Sequence, residues 1–208
     1  MRRRIAGGIA AAAALLLVAA SAAEAATLSV AGGKACYRAG DSLILSGTGY
    51  TPGAPVDVTL EGRELGTLTA DAAGNVSSPL QIGNLRGVSR RTLVATDAAN
   101  PAITATARFL GSSLLVKVKP HNGAAGRQLR INASGFTTGK RLYAHVRRKG
   151  YLRNVFIGKL KGPCRTLNKR KRVLTAGTPN GVYTVQFDTK RRYSKKTKVW
   201  FRFRVTVT

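Results

Sequence analysis

Apolar and polar positions alternate through residues 200–207, so that Phe201, Phe203, Val205 and Val207 share one side of an extended chain and Trp200, Arg202, Arg204 and Thr206 the other. Successive side chains of a strand point to opposite faces, and this two-residue period predicts a strand whose first set enters a core. Comparable segments occur at 42–47, 55–61, 65–70, 76–82, 91–96 and 102–110, separated by Gly, Pro, Asn and Asp. Short strands with turn signals every ~8–12 residues predict an all-β sandwich or barrel. Past residue 25 no segment sustains a helical period.

The pattern is also duplicated. Gly40, Leu43, Leu45, Gly49, Tyr50, Thr51 and Gly53 recur as Gly126, Leu129, Ile131, Gly135, Phe136, Thr137 and Gly139, all at an offset of 86, and Val56, Val58 and Leu60 map onto Leu142, Ala144 and Val146. Each copy reads as strand, Gly-aromatic turn, strand. Gly49 and Gly135 precede aromatics in equivalent turns, where a positive φ is expected. The duplication divides the chain into a first unit over 26–111 and a second over 112–208. By the duplicated register Tyr143, His145 and Arg147 face outward from one strand of the second unit. Tyr183, near the start of a late strand, stands where sandwiches place a tyrosine whose hydroxyl bonds back to the corner backbone.

Residues 1–25 follow a different grammar. Arg2, Arg3 and Arg4 precede an uncharged Ala, Leu, Ile and Val run from Ile5 to Ala20, and Ala23-Glu24-Ala25 supplies a small-x-small cleavage site, with Ala20-Ser21-Ala22 as an alternative. This is the grammar of a cleavable export signal, an uncleaved anchor being the alternative reading. No later stretch approaches the ~20 apolar residues of a bilayer span. The first cysteine lies well past the apolar run, which argues against lipid anchoring, and the C-terminal segment carries no sorting motif or hydrophobic tail. The expected location is extracellular, secreted or loosely associated with the cell envelope. In an oxidising compartment Cys36 and Cys164 are expected to pair. Such a bridge would clip the two units together.

Gly40 to Gly53, Pro55 to Asp71 and Asp71-Ala72-Ala73-Gly74-Asn75 resemble the bacterial immunoglobulin-like, IPT/TIG-type modules of secreted proteins. Gly135-Phe136, Gly162-Pro163-Cys164 and Val185-Gln186-Phe187-Asp188 resemble the second module of two-domain exported proteins of high-GC Gram-positive bacteria. The resemblance implies two tandem immunoglobulin-like β-sandwich domains serving as spacer, adhesion or carbohydrate-associated units. Fold alone does not fix function.

Charge separates the two units. Residues 27–111 hold seven Lys or Arg against six Asp or Glu, whereas residues 112–208 hold 25 against Asp188 alone, within a chain of net charge +27. Self-repulsion of this density favours an anionic partner, although a solvated basic surface is the alternative. The charges form clusters: Arg147-Arg148-Lys149, Lys159 with Lys161, Lys169-Arg170-Lys171-Arg172, and Lys190-Arg191-Arg192 with Lys195, Lys196 and Lys198, three of them beside expected turns. Arg202 and Arg204 add a strand face shared with Trp200. If that strand and the one carrying Tyr143, His145 and Arg147 lie in one sheet, they form a flat cationic surface with aromatics. The candidate anion-binding residues are thus Arg147, Arg148, Lys149, Lys169, Arg170, Lys171, Arg172, Arg202 and Arg204. Anionic wall polymers or phospholipid headgroups are the expected partners of an exported chain. No nucleic-acid motif is present, so sequence-specific binding of nucleic acid is not expected.

Catalytic chemistry has little to work with. The second unit has one acid where paired-carboxylate hydrolysis needs two. The acids of the first unit, Asp41, Asp57, Glu61, Glu64, Asp71 and Asp97, stand at turn and surface positions that suit capping. His121 and His145 are distant from each other and from both cysteines, and no zinc spacing occurs. The Asp71 to Asn75 loop has too few oxygens for calcium. Cys164 has basic neighbours, Lys161 and Arg165, but no nearby base. No enzyme activity, metal or cofactor is expected. A purely structural or protein-interaction module without a polyanion ligand is the alternative.

Overall fold

The computed structural model describes residues 25–196 and 199–205, together with the backbone but not the side chains of Trp200 and Phe201. Residues 1–24, which hold most of the expected export signal, and the expected places of Lys198, Thr206 and Val207 lie outside the described residues. The described chain is all-β. In the first half, β1 (Thr27–Ala31), β2 (Ser42–Thr48) and β5 (Val76–Gln81) form a sheet of order β1-β2-β5. β3 (Pro55–Leu60), β4 (Arg63–Thr69), β6 (Val88–Asp97) and β7 (Thr104–Ser112) form the facing sheet, of order β4-β3-β6-β7. Alternation explains the layering: Leu43 and Leu45 of β2 are buried while Ile44 between them is exposed. Val56, Val58, Leu93, Ala95 and Phe109 supply the opposing face of the core. Pro79, which has no N–H to give a ladder, sits in β5, at the edge of its sheet, as the geometry of proline requires.

The second half repeats this order. β8 (Leu115–Lys119), β10 (Gln128–Ser134) and β13 (Leu167–Arg172) make a small sheet of order β13-β10-β8. β9 (Asn122–Gly123), β11 (Arg141–Arg148), β12 (Tyr151–Lys159), β14 (Gly181–Asp188) and β15 (Val199–Val205) make the large one, of order β12-β11-β14-β15-β9. Its core is separate, built from Leu129, Ile131, Leu142, Val146, Tyr183, Val185, Phe187 and Phe203. Of the four positions expected to line the core from the last strand, Phe203 and Val205 are buried; the Phe201 side chain and Val207 lie outside the described residues.

The offset of 86 extends to details the sequence did not announce. Tyr37 bridges Gly111 in parallel, and its counterpart Gly123 pairs Val205 in parallel, so each copy sends a segment across to the last strand of the larger sheet. Gly49 and Gly135 have φ of 83° and 75°. A Cβ at Gly135 would lie 2.4 Å from the Ser113 carbonyl oxygen, so the position needs glycine for space as well as for φ. The Tyr183 hydroxyl donates to the Pro179 carbonyl at 2.8 Å, the corner bond expected for it. Two antiparallel-based sheets around each core, in this strand order, define two tandem immunoglobulin-like β-sandwich domains.

Only Ser113 and Leu114 separate β7 from β8. The junction is fastened by Cys36–Cys164, both cysteines being buried. Around it the Gly135 amide donates to the Cys164 carbonyl at 2.9 Å, Arg38 Nη1 donates to the Gly135 carbonyl at 3.3 Å, and Ser134 Oγ donates to the Ser113 carbonyl at 3.0 Å. The loops that carry the Gly-aromatic turn and the second cysteine thus meet the first sandwich at one place.

Candidate functional site

The large sheet of the second sandwich places Arg147, Arg202 and Arg204 on one outer face, as expected if their strands shared a sheet. Arg147 of β11 pairs Thr184 of β14, and Thr184 pairs Arg202 of β15. Strands lie about 4.8 Å apart, so the two arginine backbones stand ~10 Å from each other. Arg204 follows two residues along, beside Val182.

This face is not the open cationic plane that the sequence suggests. The segment between β14 and β15 folds over its centre. His145, expected to point outward to a ligand, is fully buried: its Nδ1 lies 2.6 Å from Asn154 Oδ1 and its Nε2 3.0 Å from Asp188 Oδ1. The Tyr193 ring packs edge-on against it at 6.0 Å, and Gln186 Nε2 donates to the Ser194 carbonyl at 2.5 Å. Arg147 stacks its guanidinium 4.2 Å from the Tyr193 centroid and donates to that hydroxyl. Covering β14 in this way satisfies polar groups that would otherwise be buried alone, and it ties Arg147 to the covering segment. Tyr143 is half-buried against Phe156. Trp200, expected on this face, has a side chain outside the described residues.

Arg148 has a structural post as well. Its Nη1 donates to the Asn180 carbonyl at 2.6 Å and approaches the Tyr183 hydroxyl at 3.3 Å, bracing the corner. Lys149 is exposed in the turn after β11.

The run Lys169-Arg170-Lys171-Arg172 is not a turn-associated cluster acting as one. It lies within β13, an edge strand, where alternation divides it. Lys169 and Lys171 pair with Ile131 and Leu129, whose side chains enter the core, so both lysines sit on the inward side of the edge. Lys169 there lines an open groove of about 600 Å³ with Lys159, Lys161, Asn168 and Phe156. Inward lysines on an edge deter pairing with another chain. Arg170 and Arg172 point to the outer face with Arg130 and Gln128. On the far side of β10, Arg130 pairs Lys119 and Asn132 pairs Lys117. The outer face of the small sheet therefore carries Lys117, Lys119, Arg130, Arg170 and Arg172, all exposed. Arg170 and Arg172 were among the expected residues. Lys117, Lys119 and Arg130 were not, because they come from strands where single cations alternate with core residues; that alternation, Val116-Lys117-Val118-Lys119, is the signal that marks them as outward.

Three acids of the first sandwich, Asp41, Asp71 and Asp97, cap turns, whereas Asp57 in β3 accepts from Thr67 Oγ1 at 2.7 Å and Glu64 lies in β4. Asp71 Oδ1 accepts from the Ala73 and Asn75 amides at 2.9 and 2.8 Å, and backbone hydrogen bonding, Asn75 first, lowers its pKa. Asp97, buried, accepts from the Thr51 amide at 2.7 Å and from the Ala99 and Asn100 amides, and the Thr51 bond leads in lowering its pKa. Asp41 takes Lys34 Nζ and the Arg38 amide, both at 2.7 Å; burial acts to raise its pKa, and these partners bring it down. Among the described residues no group of three or more His, Cys, Asp and Glu is gathered that could hold a metal ion, and no helix is long and apolar enough to cross a membrane.

With this geometry the chain is a tandem immunoglobulin-like protein whose second sandwich has two differently arranged basic faces. No protein-family model matches the sequence, and no curated protein matches it. Among solved structures it is similar to the Escherichia coli adhesin FdeC, at 14% identity and a TM-score of 0.42 over 88% of this chain and 64% of that one. It is also similar to the Yersinia pseudotuberculosis adhesin InvE, at 12% identity and a TM-score of 0.37 over 88% and 59%. A further likeness is to a putative membrane anchored protein of Corynebacterium diphtheriae, at 11% identity and a TM-score of 0.37 over 89% and 57%. The chain spans less than two thirds of each of these chains. Likeness this remote carries no functional assignment.

Proposed function

We propose that this is an exported, non-enzymatic immunoglobulin-like protein whose second sandwich binds anionic polymers of the cell envelope, with the first sandwich as a spacer. The carrying observation is the charge of the second half: 25 Lys and Arg against the single carboxylate side chain of Asp188, which is itself held by His145 and by the Lys190 amide. Compact folding of such a chain concentrates positive potential, and a polyanion relieves it by releasing counter-ions. The first half is nearly balanced in charge, and Asp41, Asp71 and Asp97 in it cap turns, which suits a spacer. The IPT/TIG-type resemblance of that half points the same way.

Retention of the mature full-length chain on isolated cell envelope across a salt series tests this. Retention at low salt that falls steeply as salt rises is expected. No retention at low salt, or salt-insensitive capture by one defined protein, would favour instead a structural or protein-interaction module whose charge serves solubility.

A further inference from the structure

We infer that the outer face of the small sheet β13-β10-β8 is the binding surface, and that it takes a linear phosphate-backbone polymer read through its phosphates alone. This rests on the polyanion reading above and specifies its site and ligand.

The register lays out the face as a grid. One row crosses all three strands as Arg170, Arg130 and Lys119. The row on one side is Asn168, Asn132 and Lys117, and on the other Arg172 and Gln128. Neighbouring strands are ~4.8 Å apart, and alternate residues on a strand ~6.7 Å apart. The cations therefore run corner to corner, from Arg172 through Arg170, Arg130 and Lys119 to Lys117, roughly 17 Å end to end on those spacings. Amide side chains flank the stripe on both sides. A stripe of this shape suits a chain of charges, and three of its five members are arginines, whose forked donors match phosphate oxygens.

The composition of the face also separates polymers from each other. Its grid positions hold no aromatic side chain, so it offers no platform for stacking bases, the device by which single-stranded nucleic acid is held. Among the described residues the exposed large hydrophobic side chains, Ile44, Leu65, Val88, Leu114, Leu152, Phe156 and Val182, lie elsewhere, and the face has only the partly buried Leu115 at its margin to offer a bilayer. Among the described residues none of the five cations is in an ion pair. The outer face of the large sheet is different: the segment after β14 covers its centre, Arg147 is stacked on Tyr193, and Val182 is exposed beside Arg204.

The test measures binding of the full mature protein to inorganic polyphosphate, to poly(dT) with the same number of phosphates, and to phosphatidylglycerol vesicles. Two variants carry equal net charge. One replaces the stripe (Lys117→Gln, Lys119→Gln, Arg130→Gln, Arg170→Gln, Arg172→Gln); the other neutralises five exposed cations elsewhere (Lys140→Gln, Lys161→Gln, Lys190→Gln, Arg191→Gln, Arg192→Gln). Five phosphate contacts to a flexible polyanion imply a salt slope near −3.5, or about a 100-fold loss of affinity between 50 and 200 mM salt. Wild type and the second variant should show this slope, whereas the stripe variant, with its thermal transition retained, should bind at least about 100-fold more weakly at low salt with a slope near zero. If the stripe variant does not fold, Arg130→Gln with Arg170→Gln replaces it, with the slope expected to fall by about 1.4. Equal losses in the two charge-matched variants would overturn the assignment of the face and leave the polyanion reading standing. Tighter binding to poly(dT) or to vesicles than to polyphosphate would overturn the choice of ligand. Absence of binding by wild type to all three probes, together with no envelope retention, would remove the underlying reading as well.

Discussion

Replacing both bridging cysteines, Cys36→Ser with Cys164→Ser, should lower stability by an amount set mainly by chain entropy. The cross-link joins residues 128 apart in sequence, and closing a loop of that length in the unfolded chain corresponds to about 5 kcal/mol at 25 °C in the entropy model. Should the second sandwich unfold while the first remains intact, the loop that counts runs only from the end of β7 to Cys164, roughly 50 residues, and the figure falls to about 4 kcal/mol. Both values are ceilings, since native disulfides commonly contribute about 2–4 kcal/mol. At about 2–4 °C per kcal/mol for a chain of this size, the expected fall in Tm is between ~5 and ~15 °C. Denaturant unfolding followed by fluorescence should show one transition in the bridged protein and two in the variant, because the bridge and the few bonds around Gly135 are what bind one sandwich to the other. Intact mass before and after reduction verifies the starting state. A variant within about 1 kcal/mol of the parent, still unfolding in a single transition, would refute the reasoning: the sandwiches would then be coupled by contacts rather than by the cross-link.

Other expectations are more local. Gly135→Ala places a Cβ 2.4 Å from the Ser113 carbonyl oxygen at a φ of 75°, and should cost more than about 2 kcal/mol in a urea titration, above the ~1–2 kcal/mol of the left-handed conformation alone. Tyr183→Phe removes the bond to Pro179 and should cost about 1 kcal/mol, read from the same titration. His145→Ala leaves Asp188 and Asn154 without their buried partner and should destabilise by ~3 kcal/mol, with amide hydrogen exchange rising first across residues 189–196. Asp97 has a folded pKa below its unfolded value near 3.9, so its contribution is fully present above about pH 4 and disappears as pH falls through the folded value. Asp97→Asn should accordingly be less stable at pH 7 and lose less stability between pH 5 and pH 2 than the parent, as measured by unfolding at fixed pH steps.

Much of this architecture was legible because it is local and periodic. Two-residue alternation identified β2, β3, β4, β5, β6, β7 and β15, and the fixed offset of 86 exposed the duplication, whose equivalent turns both hold a glycine at positive φ. Tyr183 and the cysteine pair were readable for a different reason, each being a side chain whose chemistry demands one kind of partner. What escaped is non-local. The burial of His145 depends on a later segment folding back over β14, and its own strand carries no sign of that cover. The sequence of β13, Leu-Asn-Lys-Arg-Lys-Arg, lacks alternation of hydrophobic and polar residues, because an edge strand has a solvated outer side and an open rim as its inner side. Its basic run therefore read as one patch, when the pleat sends half of it to each side. The stripe on the small sheet draws its cations from three strands, and only the register brings Lys119, Arg130 and Arg170 into a single row.

The position of the bridge also determines how the molecule would behave under tension. A pull applied ahead of β1 and after β15 passes from β1 to Cys36, crosses to Cys164, and continues through β13, β14 and β15, leaving residues 37–163 off the load path. At about 3.3–3.6 Å per residue, roughly 420–460 Å of contour is thereby withheld from extension. Strands β2 to β12 would remain folded against their neighbours while the terminal segments bear the force, so the oxidised protein would act as a short tether with a fixed maximum length.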